Sequence, residues 1–132
     1  MKLTPADQSS LEASGLNLEE ITVYKFKKEY GYTYKSKQRQ VVIHGENEEN
    51  NFGEILYILQ RKSSESFFLL LQDLDVTFVQ HLGLHVCTRA CSRTLLKIEH
   101  LISSCPLNMY TAENHLKQKI NLVSKHEALV YD

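Results

Sequence analysis

The stretch FGEILYILQRKSSESFFLLLQDLDV, residues 52–76, predicts the centre of the fold. Its two apolar runs, residues 55–59 and 67–71, are separated by a polar link that contains the sequence KSSE. Near-continuous apolar runs of this length, bounded by turn residues, are typical of strands that are covered on both faces. We therefore expect these runs to form a hairpin at the centre of the hydrophobic core.

The sequence before this stretch also has the two-residue period of strands. Residues 21–29, ITVYKFKKE, are rich in β-branched and aromatic side chains, and Gly31 marks the turn that should follow them. Residues 33–37 and 40–44, TYKSK and QVVIH, predict the next strand, with a bulge near Gln38.

The fold class follows from the remaining segments. Residues 45–51, GENEENN, predict a polar loop, and residues 77–106 fit either a helix or two further strands, because their apolar positions follow neither period. After Pro106 the segments LNMYTA, QKINLVS and ALVY predict short strands. Roughly six to eight short strands predict a mainly β fold, a small antiparallel barrel or sandwich.

A short helix is predicted near the start of the chain, over residues 4–15. Thr4 suits the N-cap, Pro5 the first helical position, and Gly15 the stop. The helix has few apolar residues to bury, so we expect an extension that lies against the domain or is partly frayed. The predicted organisation is an N-terminal extension, 1–20, followed by a single β-rich domain, 21–132.

The overall composition and net charge give the chain no general attraction to nucleic acid or to a membrane. The 132-residue chain has a net charge of −1, with 42% hydrophobic and 23% charged residues, as in an ordinary globular domain. The charge is unevenly distributed, because residues 21–40 contain six Lys or Arg and only Glu29 as an acid, whereas residues 46–54 contain four glutamates. Any electrostatic function must therefore arise from a local surface.

The expected location is intracellular, either cytoplasmic or nuclear. No apolar run of the secretory type follows the first residues, and an odd number of cysteines, three, argues against a complete disulfide framework. The most apolar window contains Gln72, Asp73 and Asp75 and is too polar for a membrane span, so no membrane partner is expected.

A group of histidines and cysteines raises the possibility of a zinc site. His81, His85, Cys87 and Cys91 follow the pattern H-x3-H-x-C-x3-C, and imidazole and thiolate are preferred zinc ligands. The spacing matches no common zinc finger, so we favour buried cysteines and loop histidines and predict no metal, while metal binding stays an open alternative. No phosphate-binding or nucleophile motif occurs, and we predict neither an enzyme nor a cofactor.

The basic, tyrosine-rich stretch YKFKKEYGYTYKSKQRQ, residues 24–40, is the strongest candidate for a binding site. Lysines between aromatic residues can contact phosphates while the rings stack on bases, and alternate tyrosines can form a cage for a methylated lysine of a protein tail. The predicted partner-binding residues are Lys25, Lys27, Tyr30, Tyr32, Tyr34, Lys35, Lys37 and Arg39. The plain alternative is an outer hairpin whose lysines prevent edge-to-edge aggregation.

These patterns predict a non-enzymatic interaction module that binds nucleic acid or a protein tail. One alternative is a protein-assembly domain that pairs with another chain through an apolar edge around residues 67–78. A less favoured alternative is a zinc-stabilised domain.

The order of segments from residue 52 onward resembles the C-terminal β-domain of transposase-derived proteins. The residues that carry this resemblance are Phe52, Gly53, Ile55, Leu56 and Ile58, then Phe67 to Leu71, then Pro106 and the run Ile120 to Val123. The resemblance implies a small barrel similar in shape to bromo-adjacent-homology or Tudor-like domains. Its relatives carry an attached nuclease, but no catalytic residue can be transferred to this sequence.

Overall fold

A computed structural model describes residues 3–46, 49–80, 84–111 and 118–121. The helix α1 comprises Pro5–Ala13. The strands are β1 Ile21–Tyr24, β2 Phe26–Glu29, β3 Tyr32–Lys35, β4 Gln40–Glu46, β5 Glu49–Arg61, β6 Phe67–Val79, β7 Leu84–Lys97, β8 Leu101–Thr111 and β9 Gln118–Asn121. Short 3-10 turns at Leu18–Glu20 and Ile98–His100 lead into β1 and β8.

Every strand pairing in the described residues is antiparallel. One sheet has the order β1-β5-β4-β8-β9-β7-β6 with an additional pairing between β5 and β6, and β2 and β3 form a separate two-stranded sheet. The prediction of a mainly β, antiparallel fold with a short N-terminal helix is confirmed, and the sheet arrangement is consistent with the predicted sandwich.

The central hairpin is formed by β5 and β6, as the opening stretch predicts. Their register places Ile58 opposite Leu69 and Leu59 opposite Phe68. Neighbouring residues point to opposite faces, and both faces are covered. A hairpin-side cluster contains Tyr34, Val42, Ile55, Ile58, Phe67, Leu69, Leu71, Leu96 and Ile98. A helix-side cluster contains Leu11, Leu16, Ile21, Tyr57, Leu59, Phe68 and Leu70.

The N-terminal helix is attached more firmly than its composition predicts. Thr4 caps it by accepting a 3.3 Å hydrogen bond from the backbone N–H of Asp7, and Gly15 follows the helix with a φ of +86°. The helix buries little apolar surface, as expected, because Leu11 is its one buried apolar side chain, and Leu11 packs in the helix-side cluster. Asp7 is also buried and forms an ion pair with Arg93 on β7.

Several predicted boundaries need correction. The single strand predicted over residues 21–29 is divided at Lys25, where the chain leaves β1 and enters β2. The strand predicted across Gln38 is likewise two strands, β3 and β4, separated by a turn. Most of the predicted loop, residues 45–51, belongs to the ends of β4 and β5.

The second half of the chain contains strands where the sequence left a helix open. Residues 84–97 form β7 and residues 101–111 form β8. The predicted segment QKINLVS contributes β9, whereas ALVY lies outside the described residues. Residues 67–74 of the predicted apolar edge do not form a sheet edge, because β6 pairs there with β5 on one side and with β7 on the other, whereas residues 75–79 pair with β7 among the described residues. Among the described helices, none has the length and apolar content that crossing a membrane requires.

Candidate functional site

The candidate site is the hairpin formed by β2 and β3. Its turn consists of Tyr30 and Gly31, whose φ angles are +53° and +79°. Two consecutive residues with positive φ are what a two-residue hairpin turn of type I′ requires, and glycine adopts this conformation at little cost. The predicted turn around Gly31 is thus confirmed.

The strand register sorts the hairpin side chains onto two faces. Residues directly opposite each other in an antiparallel pair point to the same face, and Phe26 lies opposite Lys35 while Lys28 lies opposite Thr33. These four residues therefore form one face, which we call the outer face. Phe26 is 62% exposed, and both lysines are exposed.

The opposite, inner face of the hairpin contacts the domain. It contains Lys27 opposite Tyr34 and Glu29 opposite Tyr32. The Lys27 ammonium lies 4.6 Å from the centre of the Tyr24 ring, a distance at which a cation is attracted to the ring face. Lys27 is therefore engaged within the domain and is less available to a partner than its sequence position suggests.

Tyr34 joins the hairpin to the core and does not belong to an exposed aromatic surface. It is fully buried, its hydroxyl donates a hydrogen bond to the carbonyl of Ser104, and its ring packs edge-on against Phe67. Burial raises the pKa of the Tyr34 phenol well above its usual value. The predicted row of three accessible tyrosines is wrong, because Tyr30 lies in the turn and Tyr34 in the core.

The base of the hairpin is fixed by two buried polar side chains. The Gln40 amide accepts a 2.6 Å hydrogen bond from the backbone N–H of Lys35 and donates a 3.0 Å bond to the carbonyl of Thr33. The Ser36 hydroxyl donates a 2.7 Å bond to the carbonyl of Tyr24. These contacts hold β3 against β1 and β4 and so fix the orientation of the outer face.

Lys37 and Arg39 lie in the turn between β3 and β4, away from the two hairpin strands. Both are exposed and both have positive φ, +53° and +58°. The Lys37 ammonium lies 4.5 Å from the centre of the Tyr57 ring. The turn is stabilised by a hydrogen bond from the Lys37 backbone N–H to the carbonyl of Ile55 and by one from the Met109 N–H to the carbonyl of Arg39.

The structure thus groups only part of the predicted site. Lys35 lies on the outer face, and Lys25 is exposed at the bend just before β2. Phe26 and Lys28 share this surface but were absent from the predicted set. Alternation counted from the Tyr30–Gly31 turn identifies both, because it assigns residues 26 and 28 to the face opposite Tyr34.

Two acids that lie close to the hairpin in the sequence, Glu29 and Glu54, are not on its outer face. Glu29, the only acid within residues 21–40, lies on the inner face. Glu54 is buried on β5 and accepts from Arg89 Nε at 2.9 Å, and this hydrogen bond raises the pKa of the Arg89 guanidinium. The position of Glu54, close to three other glutamates in the sequence, suggests a solvated acidic loop. The structure instead places Glu54 in a buried strand, paired with Arg89.

The described members of the predicted histidine and cysteine group do not come together in one site. Cys87 is buried, with its sulfur 3.3 Å from that of Met109, and burial raises the pKa of its thiol to about 11. Cys91 is exposed, and the His85 ring packs against Phe78 with ring centres 4.8 Å apart. His81 lies outside the described residues. In the parts of the chain that the structure describes, no three His, Cys, Asp or Glu side chains are grouped to hold a metal ion.

Comparisons with protein-family models, with curated proteins and with solved structures found no match to this chain. The resemblance to the β-domain of transposase-derived proteins therefore stays a prediction.

Proposed function

We propose that the protein is a non-enzymatic interaction module that binds single-stranded nucleic acid through the outer face of the β2–β3 hairpin. The observation that supports this proposal is the placement of Phe26, 62% exposed, on the same strand face as Lys28 and Lys35. An exposed ring flanked by cations is the combination that single-strand binding surfaces use, in which a base stacks on the ring and the cations contact phosphates.

The spacing of Phe26, Lys28 and Lys35 favours an extended, flexible polyanion such as single-stranded nucleic acid. Lys35 lies directly across from Phe26, at the cross-strand separation of about 5 Å, whereas Lys28 lies two residues along β2, about 7 Å away. Lys25, which precedes Phe26 in the sequence, is exposed and adds a further positive charge to this end of the hairpin. A flexible, stacked polyanion can contact the ring and these charges together.

The alternative partner, a protein tail, is less well supported. A cage for a methylated lysine needs several accessible rings, but Tyr34 is buried. The lysines would also repel a cationic tail. An acidic tail has suitable charge, but its Asp and Glu side chains have no aromatic ring to stack on Phe26.

Binding of a short fluorescent oligothymidylate, followed by anisotropy at several salt concentrations, tests the proposal. We expect affinity to fall steeply with salt, because each neutralised phosphate releases about 0.7 counterions from a single strand. The Lys28→Gln/Lys35→Gln variant should have a shallower dependence of log K on log salt, by about 1.4. Phe26→Thr should weaken binding by roughly tenfold to a hundredfold, the range expected for one stacked base.

The matched control is Lys62→Gln/Lys97→Gln, which removes the same charge from two exposed lysines outside the hairpin. This variant should retain the affinity and the salt dependence of the wild type. Equal losses in both double variants would mean that net charge alone causes binding, and tighter binding of an acidic peptide than of the oligonucleotide would favour the protein tail.

A further inference from the structure

The last part of β6 is an open strand edge among the described residues. The pairing between β5 and β6 ends at Phe52 and Leu74, and Asn51, the residue before Phe52, pairs with β4 alone. Beyond Leu74, residues 75–79 of β6 pair only with β7 in the described part of the chain. A cavity of about 290 Å³ lies where the two strands separate, and its lining includes Asn51 and Asp75. β5 therefore leaves space beside the start of this edge.

This edge lacks the features with which proteins usually protect an exposed strand. Natural edges are blunted by lysines, prolines or bulges, whereas residues 75–79, DVTFV, contain neither lysine nor proline. Their register with β7 is uninterrupted, from Asp75 opposite Thr88 to Val79 opposite Leu84. Alternate backbone N–H and C=O groups of this segment point away from β7, where a further strand can bind them.

The side chains of the edge are sorted onto two faces. Val76 and Phe78 share one face, and Thr77 lies on the other. Val76 packs against the buried cluster that contains Leu74 and Cys87, and both Val76 and Phe78 are only half-buried. Thr77 is exposed. A strand added to this edge would therefore extend an apolar face that the chain alone covers incompletely.

We propose that residues 75–79 pair in antiparallel fashion with the same residues of a second copy of this chain, with the two-fold axis at Thr77. This register places Thr77 opposite Thr77 and Phe78 opposite Val76 of the other copy. Threonine pairs and aromatic–β-branched pairs are favourable across strands, whereas like charges are unfavourable. Asp75 lies opposite residue 79, so the two carboxylates do not face each other. The edge is thus complementary to itself, as a two-fold contact requires.

The contact involves only five residues of each chain, so the dimer should be weak. Small interfaces are typical of transient complexes, and we expect a dissociation constant in the micromolar to millimolar range. The inference rests on the β6 edge and does not depend on the binding of nucleic acid by the hairpin.

Sedimentation equilibrium of the full chain tests this proposal, in reducing buffer so that the exposed Cys91 cannot form cross-links. We expect the average mass to rise from that of one chain toward that of two as the concentration increases from low micromolar to near-millimolar. Thr77→Lys places two like charges opposite each other at the axis and should weaken dimerisation by about tenfold or more. Thr77→Asp should act in the same way and gives a second variant if the lysine impairs folding.

A mixture of the two variants tests the register. When Thr77→Lys meets Thr77→Asp, opposite charges face each other at the axis, so the equimolar mixture should recover the dimerisation that each variant alone has lost. The matched control is Ser63→Lys, which adds the same charge at an exposed position between β5 and β6 and should dimerise as the wild type does.

Amide hydrogen exchange tests whether the edge is open in the single chain. At low concentration we expect fast exchange at the amides of residues 75–79 that point away from β7, and protection of these amides as the dimer forms. Protection of all five amides at every concentration would overturn the proposal, because another part of the same chain would then cover the edge. A constant mass of one chain, a dimer that neither Thr77 variant weakens, or no recovery in the mixture would overturn it as well.

Discussion

The β5–β6 pair and the β2–β3 hairpin are both antiparallel pairs joined by tight turns, but they contribute differently to the molecule. Both faces of β5 and β6 contact protein, namely the hairpin-side cluster on one face and the helix-side cluster on the other. Among the described residues, the β2–β3 hairpin contacts the rest of the protein through its inner face, and its outer face exposes Phe26 between lysines. The β5–β6 pair therefore contributes buried side chains to the core on both faces. The outer face of the β2–β3 hairpin contributes none and is available to a partner.

The largest expected effect tests the structural role of the central pair. Leu71→Ala removes a fully buried side chain from β6 and should lower the free energy of unfolding by about 2–5 kcal/mol. Lys28→Ala, on the outer face of the hairpin, should change it by no more than about 0.5 kcal/mol. Urea denaturation followed by circular dichroism measures both, and similar losses would remove the distinction between the two regions.

The turn of the hairpin should show an intermediate effect. Gly31 has a φ of +79°, a conformation that a β-branched side chain rarely adopts. Gly31→Val should therefore destabilise the protein by about 1–2 kcal/mol. Gly31→Asn serves as the control, because asparagine tolerates the left-handed region, and its smaller loss in the same denaturation experiment would attribute the effect to backbone conformation. Equal losses of stability in Gly31→Val and Gly31→Asn would show that the backbone conformation is not the cause.

The attachment of the hairpin to the core should depend on pH. Tyr34→Phe removes the hydrogen bond to Ser104 and should cost about 1 kcal/mol near neutral pH. Burial raises the pKa of the Tyr34 phenol in the folded state, so the folded state disfavours loss of the proton. The stabilisation is complete below the unfolded pKa of about 10 and declines as pH rises above it.

The wild type should accordingly lose its advantage over Tyr34→Phe as pH rises above about 10. Denaturation of both proteins across this range provides the measurement. Because the remaining tyrosines and lysines are common to both, their titration largely cancels in the comparison. A constant difference would indicate that the phenol titrates normally and is not buried.

The smallest expected change in stability concerns the proposed binding face. The triple variant Phe26→Thr/Lys28→Gln/Lys35→Gln alters exposed side chains and places threonine, which also favours strands, at position 26. The free energy of unfolding should therefore change by no more than about 1 kcal/mol. A loss comparable to that of Leu71→Ala would show that the outer face has a structural role.

Local pattern predicted the parts of the fold in which one period or one turn residue dominates. The continuous apolar runs around Ile58 and Leu69 identified the central pair, and Gly31 identified the hairpin turn. Residues 84–111 were ambiguous because β7 and β8 are long strands whose side chains contact different partners along their length. An irregularity on β7 between Arg89 and Arg93, where the pairing with β6 changes register, interrupts the two-residue period there.

The candidate site was only partly predictable because exposure depends on tertiary contacts. Composition identified a basic aromatic hairpin, but two of its residues lie on the inner face. Tyr34 contacts Phe67, and Lys27 contacts the Tyr24 ring. Nothing local marks Glu54 as the partner of Arg89, 35 residues away. Asp7 similarly pairs with Arg93, which lies far away in the sequence.

The most direct test of the central claim is amide chemical-shift mapping of the labelled protein with a short oligothymidylate. We expect the largest shifts on β2, β3 and their turn, with smaller changes along β5 and β6. In the Phe26→Thr/Lys28→Gln/Lys35→Gln variant these shifts should be lost while the remaining spectrum is preserved. Unmoved hairpin amides, or the largest shifts elsewhere in the molecule, would contradict the assignment of the outer face as the binding surface.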